Sequence, residues 1–491
     1  MPRTLRELAL GALFLALSVL YTWPLAIRLT TATSDLGDPL LNTWILDWVS
    51  RALIHHPFSL FQAPLFHPAK FPLAFSENMI GIAAFVMPFR LAGVPALAVH
   101  NLAMLLGFAT SGYAASVLGR TLTRSTPSIG AGVIAGILYA FVPFRFDHLP
   151  QVQIVWSPWL PLLLAALVWW WRGPSTKRAA VVALCLVMNG LGNIHWLLFG
   201  TTAAALTMLL LYLFIGDDKP RREWVKLLLA FVVAGLAMLP VLWPYHVVSK
   251  LYDMRRGPGE VMLSSADWHD WLVAASRSRL YGWAVDSHLS SPERALFPGM
   301  MLLLLLIAAF AYKVSGTKVP GTGSQTPEEV PREPGPVTRD PSIATATRHP
   351  ILATLAILLA ILSWFGAVTP RVEIGGEGHR ILSMESADVP FTLLLIVLLF
   401  LFRTRLTAWL RRSRIPIELW LCLGWIAIGV AGSFGLKAFF HHFLYKHISP
   451  FQAIRTPARW AIVTYTGLAG AAAYGAAALQ KRRRQIGRAH V

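Results

Sequence analysis

"LALGALFLALSVLYTWPLAIRLTTATSDLGDPLLNTWILDW", residues 8–48, carries the reading that decides the fold. Residues 8–29 are almost wholly apolar and exceed the about 20 residues that a helix needs to cross a hydrocarbon core. The run is too long for a signal-peptide core and has no small-residue cleavage site after it, so it reads as an uncleaved first membrane helix. Directly behind it, "SDLGDPLLNTWILDW" (34–48) sets Asp35, Asp38 and Asp47 among residues that otherwise make an amphipathic helix. Carboxylates at that depth need a reason.

Working outward, apolar runs of spanning length recur to the end of the 491-residue chain, which is 55% hydrophobic and 14% charged, with 19 Trp and 26 Phe. That composition belongs to a polytopic membrane protein. The class expected is all-α with about 12 transmembrane helices, near 8–29, 94–119, 128–146, 154–171, 178–193, 196–215, 226–246, 296–313, 350–368, 389–402, 417–435 and 458–479. A net charge of +19 could suggest nucleic acid. The distribution excludes that reading: with the N-terminus cytoplasmic, "GRTLTRS", "RGPSTKR", "GDDKPRREWVK", "RTRLTAWLRRSR" and "QKRRR" all fall inside, as the positive-inside rule requires. The expected location is the inner (plasma) membrane, multi-pass, and no nucleic-acid partner is implied.

The expected organisation is an eight-helix module over 1–313, with structured external loops 30–93 and 247–295. A Pro/Gly/Ser/Thr-rich cytoplasmic linker (314–349), too polar to bury a core, leads to a four-helix part over 350–485. The last residues, "IGRAHV" (486–491), match one reading frame of a common sequencing adapter, so the native frame is expected to continue past Gln485. In the first external loop, Leu41, Ile45, Trp48 and Val49 recur at helical spacing, with Asn42 and Asp47 elsewhere on the wheel, as in a helix lying in the interface. Breaks are expected at "NGLGNIHW" (189–196) and at Pro240 and Pro244, where irregular backbone is tolerated if it lines a cavity. "GEVMLSSADWHDWLVAASRSRLYGW" (259–283) reads as a partly helical external loop with aromatic anchors, suited to acceptor or lipid contact.

Chemistry-bearing residues gather at the external ends of the spans. Asp38, between Gly37 and Pro39, is placed to cap the following helix, since Asp favours the N-cap and Pro the first helical position. Near it in the membrane frame come Asp35, Glu77, "FRFDHLPQVQ" with Arg145, Asp147 and His148, then His195, and "FQAIRTPARW" with Arg455 and Arg459. Ionisable groups at membrane depth are costly and mark sites or pathways. Each also has a plainer reading: Glu77 as an N-cap, His148 as a wet interfacial histidine, His195 as a turn residue, Arg455 and Arg459 as interface anchors, Asp47 on the solvated face. Cys185 and Cys422 each lie within a predicted span without metal-ligand or CxxC spacing, and no Walker loop, HExxH or dinucleotide fingerprint occurs. No cofactor is called for by the sequence.

"SDLGDPLLNTWILDW", "FHPAKFPLAFSENMIG", "GILYAFVPFRFDHLPQVQIVWSPWLPLLLA" and "ISPFQAIRTPARWA" together resemble a group of large bacterial membrane proteins related to the C-type, multi-spanning glycosyltransferases, over residues 1 to about 480. In such transferases an acidic residue at the start of the first external loop acts beside a polyprenyl-phosphate sugar. The resemblance therefore implies a membrane glycosyltransferase with Asp38 as the catalytic residue and Asp35 as its rival. It gives substrate-binding roles to Asn42, Glu77, Arg145, His148, His195, Arg455 and Arg459. The implied partners are a polyprenyl-phosphate sugar lipid, the bilayer and an acceptor that is a glycan, lipid or protein. The first loop lacks the paired acids of the characterised transferases, which leaves both the base and any divalent metal open. Two other classes stay open: a transporter or lipid flippase, against which the absence of paired broken helices in corresponding halves speaks, and a non-catalytic envelope-assembly scaffold, which would need no converging polar cluster.

Overall fold

The computed structural model describes residues 2–124, 128–215, 220–276, 278, 280–284, 292–314 and 415–489, with 372–376, 379–384 and scattered positions between 355 and 409. The predicted linker and the spans at 350–368 and 389–402 lie almost entirely outside the described residues. Seven helical stretches are long and apolar enough to cross a membrane: Arg3–Tyr21, Ala96–Leu122, Ile129–Asp147, Val152–Arg172, Ile194–Tyr212, Arg221–Leu251 and Pro457–Lys481. Ile80–Leu91, Met300–Ala311 and Ile417–Ser433 are shorter apolar helices. The protein is a helical, polytopic membrane protein.

The chain divides into two compact units, one of 1–208, 219–312 and 416–491, the other of 209–218 and 313–415. The sequence division at 313/350 thus differs from the unit boundary, because the last helices pack within the first unit. In the second unit, β1 (Val372–Gly376) pairs antiparallel with β2 (His379–Met384), the only strands among the described residues.

In the first unit, α1 (Arg3–Tyr21) lies antiparallel to the long α4 (Ala96–Leu122), and the two are stitched at both ends. Glu7 takes Arg120 through both oxygens at 2.8 and 2.9 Å, and the Ser18 hydroxyl donates to the Leu105 carbonyl at 2.8 Å. Between these helices runs α2 (Asp38–His55), then α3 (Ile80–Leu91). The short α3 was not foreseen in loop 30–93. Together α2 and α3 bury Ile45, Leu46, Val49, Ile82 and Val86 against Phe108 and Trp156. Asn42 is buried on this face and donates to the Pro150 carbonyl at 3.0 Å, rather than sitting on the far side of the wheel. Asp47 is likewise not solvated: it pairs with Arg51 and Arg90, which ties α2 to α3.

Lipid offers no hydrophobic drive for helix association, so close packing must supply it, and small residues allow close approach. α5 (Ile129–Ala140) meets α4 where a Cβ at Gly136 would come 2.5 Å from the Gly112 carbonyl. Then α6 (Phe144–Asp147) and α7 (Val152–Val155) form an irregular crossing to α8 (Trp159–Arg172), which runs back beside α4. Ser175 caps α9 (Thr176–Gly192) by accepting from the Arg178 amide at 3.3 Å. The predicted break follows at extended Asn193, and α10 (Ile194–Ile215) begins there. Pro240 and Pro244 break nothing: α11 (Arg221–Leu251) is continuous through both. Its 31 residues span about 46 Å, more than an about 30 Å hydrocarbon core requires. Its C-terminal end forms part of the cavity described below.

After α11 come α12 (Pro258–Leu263), α13 (Met300–Val314), α14 (Ile417–Ser433), α15 (Phe439–His447) and α16 (Ala461–Ala489). The α14–α16 contact is another close one: a Cβ at Gly467 would lie 2.6 Å from the Cys422 carbonyl. At the α1 N-terminal side of the bundle, Arg172 reaches Glu418 at 2.8 Å and the Tyr474 hydroxyl donates to the Leu122 carbonyl at 2.9 Å. The cavity lies at the opposite ends of these helices.

Candidate functional site

Asp38 is the first residue of α2, and Gly37 holds the N-cap position without a side-chain cap bond. The expectation that Asp38 caps the helix is therefore corrected. The preceding turn is closed by Asp35, whose Oδ1 accepts the Gly37 amide at 2.7 Å, which leaves the Asp38 side chain outside the turn. Its Oδ2 accepts from Gln151 Nε2 at 2.8 Å. With one oxygen held by an amide from α7's approach, the other is left for a ligand.

Asp38 lines a cavity of about 570 Å³. Its other contributions come from segments far apart in sequence: Glu77 from the loop before α3, His195 from the α10 start, Tyr245 and Tyr252 from the α11 end, Arg255 and Arg256 from the strap beyond it, and Arg455 and Arg459 before α16. Every contributing residue belongs to the first compact unit. Three carboxylates (Asp38, Glu77 and Asp253) and four guanidinium groups thus share one space.

Glu77 does not cap α3. Its Oε2 accepts the Ile194 amide at 2.9 Å, so it caps α10 across the fold, where a carboxylate also meets the positive end of the helix dipole. Its Oε1 pairs with His195 Nδ1 at 3.0 Å, and Asn193 Oδ1 accepts the His195 amide at 2.7 Å. The break in "NGLGNIHW" is thereby turned into a rigid corner of the cavity. Tyr245 fixes the neighbouring wall by donating to the Ser76 carbonyl at 2.9 Å.

The arginines are held in two ways. Glu260 Oε1 sits 3.3 Å from Arg256 Nη1 and 4.0 Å from Arg455 Nε, and Arg255 is 3.8 Å from Asp253; Glu260 and the three arginines are about half exposed, and Asp253 is almost fully exposed. Exposed pairs of this kind are worth about 0–1 kcal/mol, so an incoming anion can take their place. Asp253 adopts a left-handed φ of 47°, turning the strap so that the Arg256 amide reaches the Gln452 carbonyl at 3.2 Å. Arg459 differs: it is buried, and Glu293 takes its Nε at 3.0 Å and its Nη2 as well. Glu293 also meets His148 Nε2 at 2.7 Å, while His148 Nδ1 is bonded to the Phe144 carbonyl at 2.8 Å. Burial alone would raise the Glu293 carboxyl, but the charges of Arg459 and His148 hold it well below the usual carboxylate range.

Of the residues chosen from sequence, Asp38, Asn42, Glu77, His195, Arg455 and Arg459 meet in the cavity. Three do not line it. Asp35 is exposed and serves the turn. Arg145 is fully buried, donating at 2.5 Å to both the Val155 carbonyl and Ser157 Oγ, with its guanidinium 4.6 Å from the centre of the Tyr139 ring. It therefore braces the α6–α7 crossing. His148 is buried behind Arg459 and touches the site through Glu293.

Arg255, Arg256 and Glu293 were missed. The "RR" at 255–256 did carry a signal: a basic doublet just past a span, on the side that the charge bias leaves poor in Lys and Arg. Glu293 had none, because only folding brings it to Arg459. Among the described residues, no three or more His, Cys, Asp or Glu side chains gather as a metal site. No family model, curated protein or solved structure matches the chain.

Proposed function

We propose that the protein is a membrane glycosyltransferase that moves a sugar from a polyprenyl-phosphate donor to an acceptor hydroxyl at the external face of the inner membrane. The observation that carries this reading is a single cavity in which a carboxylate that caps nothing, Asp38, accompanies four arginines, three of them only loosely partnered. A phosphodiester needs guanidinium donors, and a hydroxyl nucleophile needs a base. The twelve-span, N-terminus-inside topology drawn from charge bias would set this cavity outside, where lipid-borne donor and acceptor can meet.

In this reading the sugar lies among Asp38, Asn42, Gln151 and Glu77, with the phosphate towards Arg255, Arg256 and Arg455. The acceptor oxygen forms a bond to the anomeric carbon, and its proton passes to the Asp38 oxygen not held by Gln151. The bond from the anomeric carbon to the phosphate oxygen breaks, its electron pair leaving with the lipid phosphate. The arginines stabilise the charge that grows on that phosphate. No bonding to a metal enters this account.

The test is release of polyprenyl phosphate from a panel of polyprenyl-phosphate sugars by the reconstituted chain. Turnover of one donor is expected, and Arg255→Gln/Arg256→Gln should raise its KM at least about tenfold, the loss of one or two charge-assisted hydrogen bonds. No release from any donor, with lipid or solute crossing the vesicle membrane instead, would favour a transporter or flippase.

A further inference from the structure

Resting on the reading that the cavity takes a phosphate, we infer that Glu293 is a positioning residue, which fixes Arg459 so that its remaining nitrogen, Nη1, is presented to the ligand. Glu293 lies in the short Pro292–Arg294 turn of the loop between α12 and α13, distant in sequence from every residue of the cavity. It occupies Nε and Nη2 of Arg459, and Arg459 lines the cavity. A guanidinium held by two bonds along its Nε–Nη2 edge cannot swing, so the third nitrogen has one direction left. Preorganised donors cost no reorganisation when charge develops.

The turn itself is anchored in two directions. Glu293 points to the bundle, meeting His148 as well as Arg459, while neighbouring Arg294 points back into its own loop, bonding Asp270 at 2.6 Å and Asp267 at 2.7 Å. Lys437 joins Asp267 at 2.7 Å, and the Tyr465 hydroxyl donates to the Leu296 carbonyl at 3.0 Å. Main-chain bonds from Leu296 to Asp270 and from Phe297 to Val273, each 2.9 Å, complete the brace. This loop is therefore a supporting wall of the site. It also explains why an acid is buried beside Arg459: the fork compensates its charge, so Arg459 offers a fixed hydrogen bond while the loosely held arginines supply mobile charge.

The test follows arginine modification by phenylglyoxal, mapped by mass spectrometry on the intact chain in nanodiscs. In the wild type Arg459 should react far more slowly than half-exposed Arg455. Glu293→Gln should speed Arg459 at least about tenfold relative to Arg120, whose fork on Glu7 lies at the opposite end of the bundle and serves as the internal reference. Glu293→Asp, too short to hold both nitrogens, is read in the same way and covers the case in which the Gln variant fails to fold. An unchanged Arg459 rate would overturn the inference, and so would equal acceleration of Arg459 and Arg120, the sign of general loosening. Farnesyl phosphate added before the reagent tests the underlying reading separately. Protection of Arg455 and Arg459 is expected, and its absence would remove the phosphate assignment while leaving the Glu293 measurement to stand by itself.

Discussion

At the scale of single residues, the site is built by carboxylates that each perform a different task. Asp35 closes a turn, Glu77 caps α10 and holds His195, Glu293 forks Arg459, and Asp38 accepts one amide bond. Removing the Glu77 charge with Glu77→Gln weakens two hydrogen bonds to a partly buried corner, each worth about 1–3 kcal/mol when charge-assisted, so a clear drop in Tm is expected by thermal scanning. An unchanged Tm would show that α10 does not depend on this cap. Glu293 makes a pH-dependent contribution. Its folded pKa lies below the ordinary value of 4.5, so its stabilisation is present in full above that pH and fades as pH falls through the depressed folded value. Stability of the wild type should thus be flat in this respect from pH 8 to 5 and decline in stronger acid. Glu293→Gln should lose stability at neutral pH and show a shallower acid limb; parallel curves for the two proteins would contradict the assignment.

At the scale of elements, glycines set how closely the helices approach. Gly467→Ala drives a methyl group against the Cys422 carbonyl, and Gly136→Ala against the Gly112 carbonyl; backbone atoms of packed helices cannot move aside as a flexible side chain can. Each should cost about 1–3 kcal/mol, seen as a lower melting temperature in detergent. Gly235→Ala, where nothing lies within 4 Å, is the control and should leave it unchanged. Equal effects at all three positions would refute the packing argument. Much of this level was legible in the sequence, because apolar length marks a span regardless of its neighbours. What was not legible depended on contacts: α3 is too short to stand out, Pro240 and Pro244 sit in a helix long enough to absorb them, and Asp47 looked solvated until folding brought Arg90 to it. Arg145 and His148 stood beside the right residues in sequence but turn into the protein, which spacing alone cannot distinguish.

At the scale of the whole molecule, the first unit places its cavity at one end of the helices and joins their other ends through Glu7–Arg120 and Arg172–Glu418. α8 leaves the cavity side at Trp159 and ends at Arg172, before the turn into α9 at the opposite side, while Ser59 precedes Phe61, which accepts the Leu73 amide beside the cavity-lining Ala74, so Ser59→Cys and Lys177→Cys should label from opposite faces of the membrane. Cys185 and Cys422 are buried and give little background. Labelling of both positions from one side would break the topology on which an external cavity depends. The distribution of the site over the first loop, two helix ends, the strap and the approach to α16 also explains why only part of it could be assembled from sequence. Asp38, Glu77, His195 and the arginines each carry a charge visible at membrane depth, whereas the union of these positions is a property of the fold.

The account turns on Asp38, and the most direct measurement compares Asp38→Asn with Asp35→Asn for sugar transfer and melting temperature in the same reconstituted preparation. Asn keeps the size and accepts the same Gln151 bond but cannot take a proton, and a general base contributes about 10²–10⁴-fold. Because Asp38 caps nothing, Asp38→Asn should lose transfer on that scale with an unchanged Tm. Asp35→Asn should keep most activity and lose at most a little stability from its turn. Equal transfer by Asp38→Asn and wild type on an accepted donor would contradict the account.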